Sequence, residues 1–322
     1  MKKKTKSASA RSESAETSLR DVDFLTIHDL SADQLERVLE TAAACKKDPM
    51  RFAHALAGQS VIMLFEKPSL RTRVSFEVGV HRLGGHGLFY DHSKERIGER
   101  ETTHDYAKNL ERFAHAIVAR VFSQRVLEEL AQHSGVPVIN ALSNEHHPCQ
   151  ALADMLTIRE HLGSVKGKRI VYLGDGNNVC ISLMQAAAKL GAHGIAICPD
   201  SHVPDAAELA AAAMDAEASG GSITLTADVK AAKRADVVYT DAWTSMHQTD
   251  AADRTRAFAK YQINAKLMDR ASPKAIFMHC LPAHRGQEVT NEVIDSNQSV
   301  VFDQAENRLW AQNGLMIEVL AR

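Results

Sequence analysis

Val61-Ile62-Met63-Leu64-Phe65, Glu66-Lys67-Pro68, Ser69-Leu70-Arg71-Thr72-Arg73: an apolar run, a break and a helix start stand in direct succession. The first five residues are short, β-rich and uniformly apolar, the mark of a strand buried on both faces. Glu66, Lys67 and Pro68 interrupt it. From Ser69 to His81 the apolar positions recur at helical spacing, so Ser69 falls at the N-cap. A helix start offers free backbone N–H groups and the positive end of the dipole, which together attract anions. Two hydroxyls and two guanidiniums shape that generic site for a phosphate or a phosphorylated ligand. The plainer alternative is a capped helix with solvated arginines.

Outward from this unit, strands and helices alternate. The apolar runs Gly87–Tyr90, Ala116–Arg120 and Pro137–Asn140 join Val61–Phe65 as strands of the first half. Arg169–Leu173, Gly194–Cys198, Ser222–Thr226, Val237–Thr240 and Ala275–His279 are those of the second. Ser31–Ala44, Cys180–Leu190 and Ala206–Ala216 read as helices. Such alternation predicts an α/β fold of two lobes, each a parallel sheet flanked by helices. His147–Leu162 reads as a long helix bridging the lobes, and Ala305–Leu320 as a C-terminal helix that returns to the first lobe. The expected layout is a disordered leader over 1–22, a first domain over 23–150 with helix 305–322 packed on it, and a second domain over 151–304. Ligands would then lie in the cleft at the carboxyl ends of the strands.

Composition sets further bounds. The 322 residues are 45% apolar, ample for two cores, and 38 basic against 40 acidic residues leave nothing in bulk charge that points to nucleic acid or a membrane. No apolar run is long enough to span a bilayer. The Ser-rich, mixed-charge start lacks a secretory core, and Glu13 and Glu16 argue against a mitochondrial presequence. The five cysteines are scattered and odd in number. That pattern fits free thiols in a reducing cytoplasm. His146, His147 and Cys149 lie close in sequence, but adjacent side chains diverge and no second ligand cluster accompanies them, so a metal site is not favoured.

Several strand ends carry chemistry. Arg120 closes its strand, and His147 and Gln150 stand one turn apart on the bridging helix; with Arg71 they form a set for a carbonyl or phosphoryl oxygen. Gly174-Asp175-Gly176-Asn177-Asn178 half-matches a dinucleotide fingerprint, with Asp200 near the ribose position, but the third glycine is missing. Asp241-Ala242-Trp243-Thr244-Ser245-Met246 offers a carboxylate for an ammonium and donors for a carboxylate, the two ends of an amino acid. His279-Cys280-Leu281-Pro282 sets a thiol at the cleft. Arg308 by itself reads as an ordinary arginine at the start of the final helix.

These motifs, S-x-R-T-R at Ser69–Arg73, H-P-x-Q at His147–Gln150, D-G-N-N at Asp175–Asn178, D-x-W-x-S-M at Asp241–Met246, H-C-L-P at His279–Pro282 and E-N-R at Glu306–Arg308, stand in family order. From about Phe24 onward the chain resembles the ornithine carbamoyltransferases of the aspartate/ornithine carbamoyltransferase family. The resemblance implies transfer of a carbamoyl group from carbamoyl phosphate to the δ-amine of L-ornithine, without metal or cofactor, by a cytoplasmic homotrimer with sites at subunit interfaces. It assigns the phosphate to Ser69, Leu70, Arg71 and Thr72. The carbamoyl group and phosphate fall to Arg120, His147 and Gln150, ornithine to Asn178, Asp241, Ser245 and Met246. Cys280, Leu281 and Arg308 complete the site, and Asp241 with Cys280 is the nearest set to take the amine's proton.

Some positions depart from the family pattern. Leu70 replaces a Thr, which preserves the backbone N–H and is similar to relatives that use N-acylated ornithine. Arg96 stands where a loop Gln reaches the neighbouring subunit's site and is expected to meet the phosphate there, Tyr106 replaces a Thr, and His247 replaces a Gly on the ornithine loop. The alternatives are accordingly transfer to N-acetylornithine, N-succinylornithine or putrescine. More remote are a nicotinamide-dependent dehydrogenase and a non-catalytic homologue.

Overall fold

The structure is a computed structural model that describes residues 18–244 and 251–321. The first lobe is built from α1 (Ala32–Lys47), β1 (Ser60–Phe65), α2 (Leu70–Arg82), β2 (His86–Asp91), α3 (Thr103–Leu110), β3 (Ala116–Arg120), α4 (Gln124–His133) and β4 (Val138–Leu142). Its sheet runs β2-β1-β3-β4, all parallel. Ser31 begins α1 with a reciprocal cap: its hydroxyl accepts from Gln34 N at 3.2 Å, and its own N–H donates to Gln34 Oε1 at 2.8 Å.

After the bridging helix α5 (Pro148–Leu162), the second lobe follows as β5 (Arg169–Leu173), α6 (Asn178–Lys189), β6 (His193–Ile197), α7 (Ala206–Ser219), β7 (Ser222–Thr226) and β8 (Val237–Thr240). It continues through α8 (Ala251–Phe258), α9 (Ala265–Met268), β9 (Ile276–His279) and α10 (Asn291–Ile294), and α11 (Val301–Leu320) closes the chain. The second sheet runs β7-β6-β5-β8-β9, also parallel. The two-lobe α/β architecture expected from the sequence is therefore what the chain adopts. Among the described residues no helix is long and apolar enough to cross a membrane.

Three local differences have clear causes. β4 occupies Val138–Leu142 rather than Pro137–Asn140: Pro137 has no N–H for the ladder, and a register shift at Ala119/Arg120 carries pairing on to Leu142. α11 begins at Val301, not Ala305, because Val301 is buried in the second lobe's core while Leu315 and Met316 are buried in the first. The chain is packed from Leu19 on, inside the leader expected over 1–22: Leu19 is buried and Asp21 N donates to Val319 O at 3.1 Å. Residues 1–17 lie outside the described residues.

α5 is buried all along Pro148–Ile158, covered by both lobes and by α11. A helix so enclosed is under pressure to pair its polar side chains internally. α11 also crosses α1 so closely that a Cβ on Gly314 would stand 2.7 Å from Val38 O and Ala42 N. In each sheet the chain leaves a central strand in both directions, so β1/β3 and β5/β8 are switch points whose carboxyl ends open a crevice. The two crevices face each other.

Candidate active site

A cavity of about 690 Å³ lies between those strand ends, lined from both lobes. Of the residues read from the sequence, Ser69, Leu70, Arg71, Arg120, His147, Asn178, Asp241, Cys280, Leu281 and Arg308 border it. Thr72 and Gln150 do not; both are buried behind Arg308 and bonded to it. Arg96 stands aside with its guanidinium 4.4 Å over the Phe122 ring. Ser245, Met246 and His247 lie outside the described residues.

The first wall is cationic. Ser69 caps α2, its hydroxyl accepting from Thr72 N at 3.3 Å and donating to Thr72 Oγ1 at 3.0 Å. Among the described residues nothing accepts from the N–H groups of Leu70 and Arg71, so they remain available at the helix start. Arg308 is not the helix-start arginine expected: it sits two turns into α11, buried, with Nη1 on Gln150 Oε1 at 2.9 Å and Nη2 on Thr72 Oγ1 at 2.7 Å. The earlier start of α11 at Val301 is the reason. Among the described residues no carboxylate lies within ion-pair distance of Arg71, Arg120 or Arg308, and the Nε groups of Arg120 and Arg308 are buried without a partner. Burial, then Arg308 and Arg71, push Arg120 down to about 9. It still carries its charge at neutral pH, against repulsion that an anion would relieve.

His147 stands at the N-cap of α5, its N–H donating to Ser182 Oγ at 2.8 Å. Burial, with Arg308, Arg120 and Lys67 around it, holds the imidazole well below its ordinary range, so it is neutral at pH 7. Its Nδ1 has no partner. Lys67 was not foreseen from the sequence, where it reads only as part of a strand break. It borders the cavity, lies 4.5 Å over the Phe122 ring and bonds Asn144 Oδ1. Burial and the Arg120 charge push it down to about 8. Glu66 holds this corner together, accepting from Ile97 N at 3.0 Å and Phe122 N at 2.9 Å.

The second wall is anionic and polar. Asp241 Oδ1 accepts from Ala242 N at 2.7 Å and from the Cys280 thiol at 2.9 Å; Oδ2 accepts from Asn177 Nδ2 at 2.8 Å. Burial and the Asp241 charge push the Cys280 thiol well up, so it keeps its proton. Asn178 reaches across the lobes to Ser143 O at 2.6 Å. Asp175, read in the D-G-N-N motif but given no role there, pairs with buried Arg254, whose Nε donates to Trp243 O at 2.6 Å and so steadies the segment after Asp241. Leu281 adopts φ +59, a left-handed conformation unusual for a branched residue, and its N–H is held by His279 Nδ1 at 2.9 Å. That bond leaves the ring proton on Nε2, facing buried Glu288 Oε1 at 3.2 Å.

Two alternatives lose support. Asn177 Oδ1 already accepts from Val179 N and Cys180 N at 3.0 and 3.1 Å, the helix-start donors a dinucleotide pyrophosphate would need. Gly176 is spent on its own neighbour loop, where a Cβ would meet Pro204 N at 2.1 Å. As for metals, Cys149 bonds Asn140 O at 3.3 Å while His146 faces Glu208, so that trio does not converge. Donor atoms of Asp241, His279 and Cys280 lie within 4.8 Å of one another, yet both His279 nitrogens are engaged as just described. Tyr106, a departure from the family pattern, bonds His92 Nε2 through its hydroxyl at 2.5 Å and so anchors the end of β2.

Family models agree with this architecture. The aspartate/ornithine carbamoyltransferase carbamoyl-P binding domain matches residues 22–160, and the Asp/Orn binding domain of the same family matches 166–319. The ornithine carbamoyltransferase of Shewanella oneidensis is 48% identical over 299 residues, covering 92% of this chain and 99% of that protein. The structure of ornithine carbamoyltransferase from Pyrococcus furiosus has a TM-score of 0.91 at 47% identity, covering 94% of this chain and 98% of its own. Ornithine transcarbamoylase from Giardia lamblia has a TM-score of 0.85 at 34% identity, covering 92% and 97%. Fold and cleft define a two-lobed carbamoyltransferase. The chain belongs to the aspartate/ornithine carbamoyltransferase family.

Proposed function

We propose that the protein transfers the carbamoyl group of carbamoyl phosphate to the δ-amine of L-ornithine, yielding L-citrulline and phosphate, in arginine biosynthesis. The observation that carries this reading is the division of charge across one cleft: Arg71, Arg120 and Arg308 without carboxylates on one wall, Asp241 with Cys280 on the other. The relatives' names support the amine, and the Pyrococcus furiosus relative is named anabolic.

In this reading the phosphate sits at the start of α2, on Ser69, the N–H groups of Leu70 and Arg71, and the guanidiniums of Arg71, Arg120 and Arg308. Thr72 and Gln150 act from behind by fixing Arg308. Neutral His147 donates an N–H to the carbamoyl oxygen beside Arg120, where charge builds in the tetrahedral transition state. Ornithine lies along Asn178, Asp241, Ser245 and Met246, with Cys280 and the Leu281 backbone beside the carbamoyl group. The δ-amine enters as an ammonium. Asp241, already an acceptor, takes its first proton; the free amine attacks the carbonyl carbon, the carbon–oxygen bond to phosphate breaks, and the amine's second proton leaves with phosphate. Holding both reactants between the lobes supplies orientation. No cofactor enters these steps.

Residues 23–150 with the C-terminal helix would form the carbamoyl-phosphate domain and 151–304 the ornithine domain, in the cytoplasm. A homotrimer is supported by the exposed apolar stripe Leu70, Val74 and Val78 on α2, beside exposed Leu88 and Tyr90 on the unpaired edge strand β2. Arg96 then reaches a neighbouring subunit's site. One observation favours a second reading: Leu70 borders the cavity while 77% exposed, an apolar surface suited to the acyl group of an N-acylated ornithine. Incubation of the purified protein with carbamoyl phosphate and L-ornithine tests the proposal: citrulline and phosphate should form in equal amounts, and absence of ureido product refutes it.

A further inference from the structure

Behind the cleft, between α5 and α11, lies a carboxyl that neither wall displays. Asp154 is fully buried on α5. Its Oδ1 accepts from Gln150 Nε2 at 2.9 Å and from Gln304 Nε2 at 2.7 Å. The two amides then point opposite ways. Gln150 Oε1 accepts from Arg308 Nη1 at 2.9 Å, on the cationic wall. Gln304 Oε1 accepts from His279 N at 2.9 Å, at the strand end that leads into Cys280 and Leu281, and its Nε2 also reaches the Tyr239 hydroxyl at 3.0 Å.

The orientation of both amides follows from Asp154. An amide can bond equally well in either of two orientations, whereas Oδ1, already taking two N–H donors, only accepts, and any proton on the carboxyl sits on Oδ2. With Oδ1 as the shared acceptor, both glutamines must turn their NH₂ groups inward. Their oxygens are thereby left for Arg308 and for the His279 N–H, each of which only donates. Without Asp154, both inward NH₂ groups lose their shared buried acceptor, and each amide is held from its outer end alone. Asp154 Oδ2 is buried without a partner, an arrangement that costs stability and that an apolar side chain would avoid. A scaffold alone has no need of it.

Resting on the transfer reaction proposed above, we propose that Asp154 is a positioning residue for that reaction, one acceptor that sets Arg308 on the phosphate side and the His279–Leu281 strand end on the thiol side. The groups facing it are Arg308 and Gln304 from α11, Gln150 from its own helix, Tyr239 from β8 and Cys280 after β9.

The test combines calorimetric binding of inorganic phosphate with steady-state kinetics on the full chain. Asp154→Ala should raise the phosphate Kd and lower kcat, each about tenfold or more, whereas Asp154→Asn, whose oxygen still accepts both amides, should stay within about threefold on both. Gln304→Met severs only the arm to His279 and should lower kcat about tenfold with the phosphate Kd unchanged. A merely structural residue would shift thermal stability without this split between binding and turnover. The proposal is overturned if Asp154→Ala matches the parent, if Asp154→Asn is as damaged as Asp154→Ala, or if Gln304→Met keeps the parent kcat. Where Asp154→Ala does not fold, the Gln304→Met comparison decides it, and a tenfold loss in Asp154→Asn against the parent overturns it as well. Phosphate binding needs no turnover, so a parent that fails to transfer carbamoyl groups refutes the reaction and still leaves the Kd comparison to judge Asp154.

Discussion

The Cys280 thiol donates to Asp241 Oδ1 at 2.9 Å, joining the end of β9 to the end of β8. The same carboxylate accepts from Asn177 through its other oxygen, so its orientation is set from two strands at once. Cys280→Ser preserves a donor at this point and should retain activity within about tenfold. Cys280→Ala leaves Asp241 short of one partner and should lose about tenfold more, a difference of about 1 kcal/mol or slightly above. Steady-state rates of the two variants at saturating carbamoyl phosphate check the order.

The cationic wall opposes stability, and in the proposed reaction it would hold the phosphate. Replacing Arg120 by Met removes a charge that burial and two neighbouring arginines disfavour. We expect melting temperature to hold or rise, while kcat/KM falls by about two to three orders of magnitude, as for the loss of a preorganised charge at a developing oxyanion. Phosphate should raise the melting temperature of the parent and raise that of the variant far less. Thermal scans with and without phosphate measure both effects.

Lys67 loses its proton near pH 8 because of burial and the Arg120 charge. Bordering the cavity, it would help hold the anion in the proposed reaction, so the KM for carbamoyl phosphate should climb as pH rises from 7 to 9. Lys67→Gln should show a higher KM with a flatter profile. The stability sign is opposite. A lysine whose folded pKa is depressed binds fewer protons folded than unfolded between about 8 and 10.5, so its contribution to stability improves as pH rises through that window.

Asp154 gives a separate stability signature. Burial raises it to about 7 from an ordinary 3.8. Between those values the folded state holds a proton that the unfolded state has released, so stability falls as pH rises and the loss is complete above 7. The slope approaches about 1.4 kcal/mol per pH unit within the window. Denaturant unfolding of the parent and of Asp154→Asn, compared from pH 5 to 8, should show that slope in the parent alone.

How far the sequence carried this picture depends on what kind of residue is asked about. β3, β5 and β8 were read to the residue, because buried parallel strands are apolar runs whose ends are marked by polar breaks, and the exposed edge strand β7 by its alternation of Ser and Thr with Ile and Leu. Ser69 at the N-cap and Asp241 at a strand end followed from the same punctuation. Arg308 was misjudged because Val301–Gln304 continue α11 toward the second lobe, and only packing shows that extra turn to be helical. Lys67 looked like a break because local sequence does not say which way a loop faces once two lobes meet. Thr72 and Gln150 belong to site motifs yet sit behind the wall, since a motif gives proximity and not direction. Asp154 gave no signal: its meaning depends on Gln304, brought to it only when α11 crosses α5.

Carbamoyl transfer from carbamoyl phosphate to the δ-amine of L-ornithine stands or falls on kcat/KM over an amine panel of L-ornithine, N-acetylornithine, N-succinylornithine and putrescine. Product is measured as ureido compound and released phosphate. The charge layout around Asp241 predicts that L-ornithine is preferred by about two orders of magnitude or more. Turnover confined to an N-acylated amine would contradict that prediction and assign Leu70 to the acyl group.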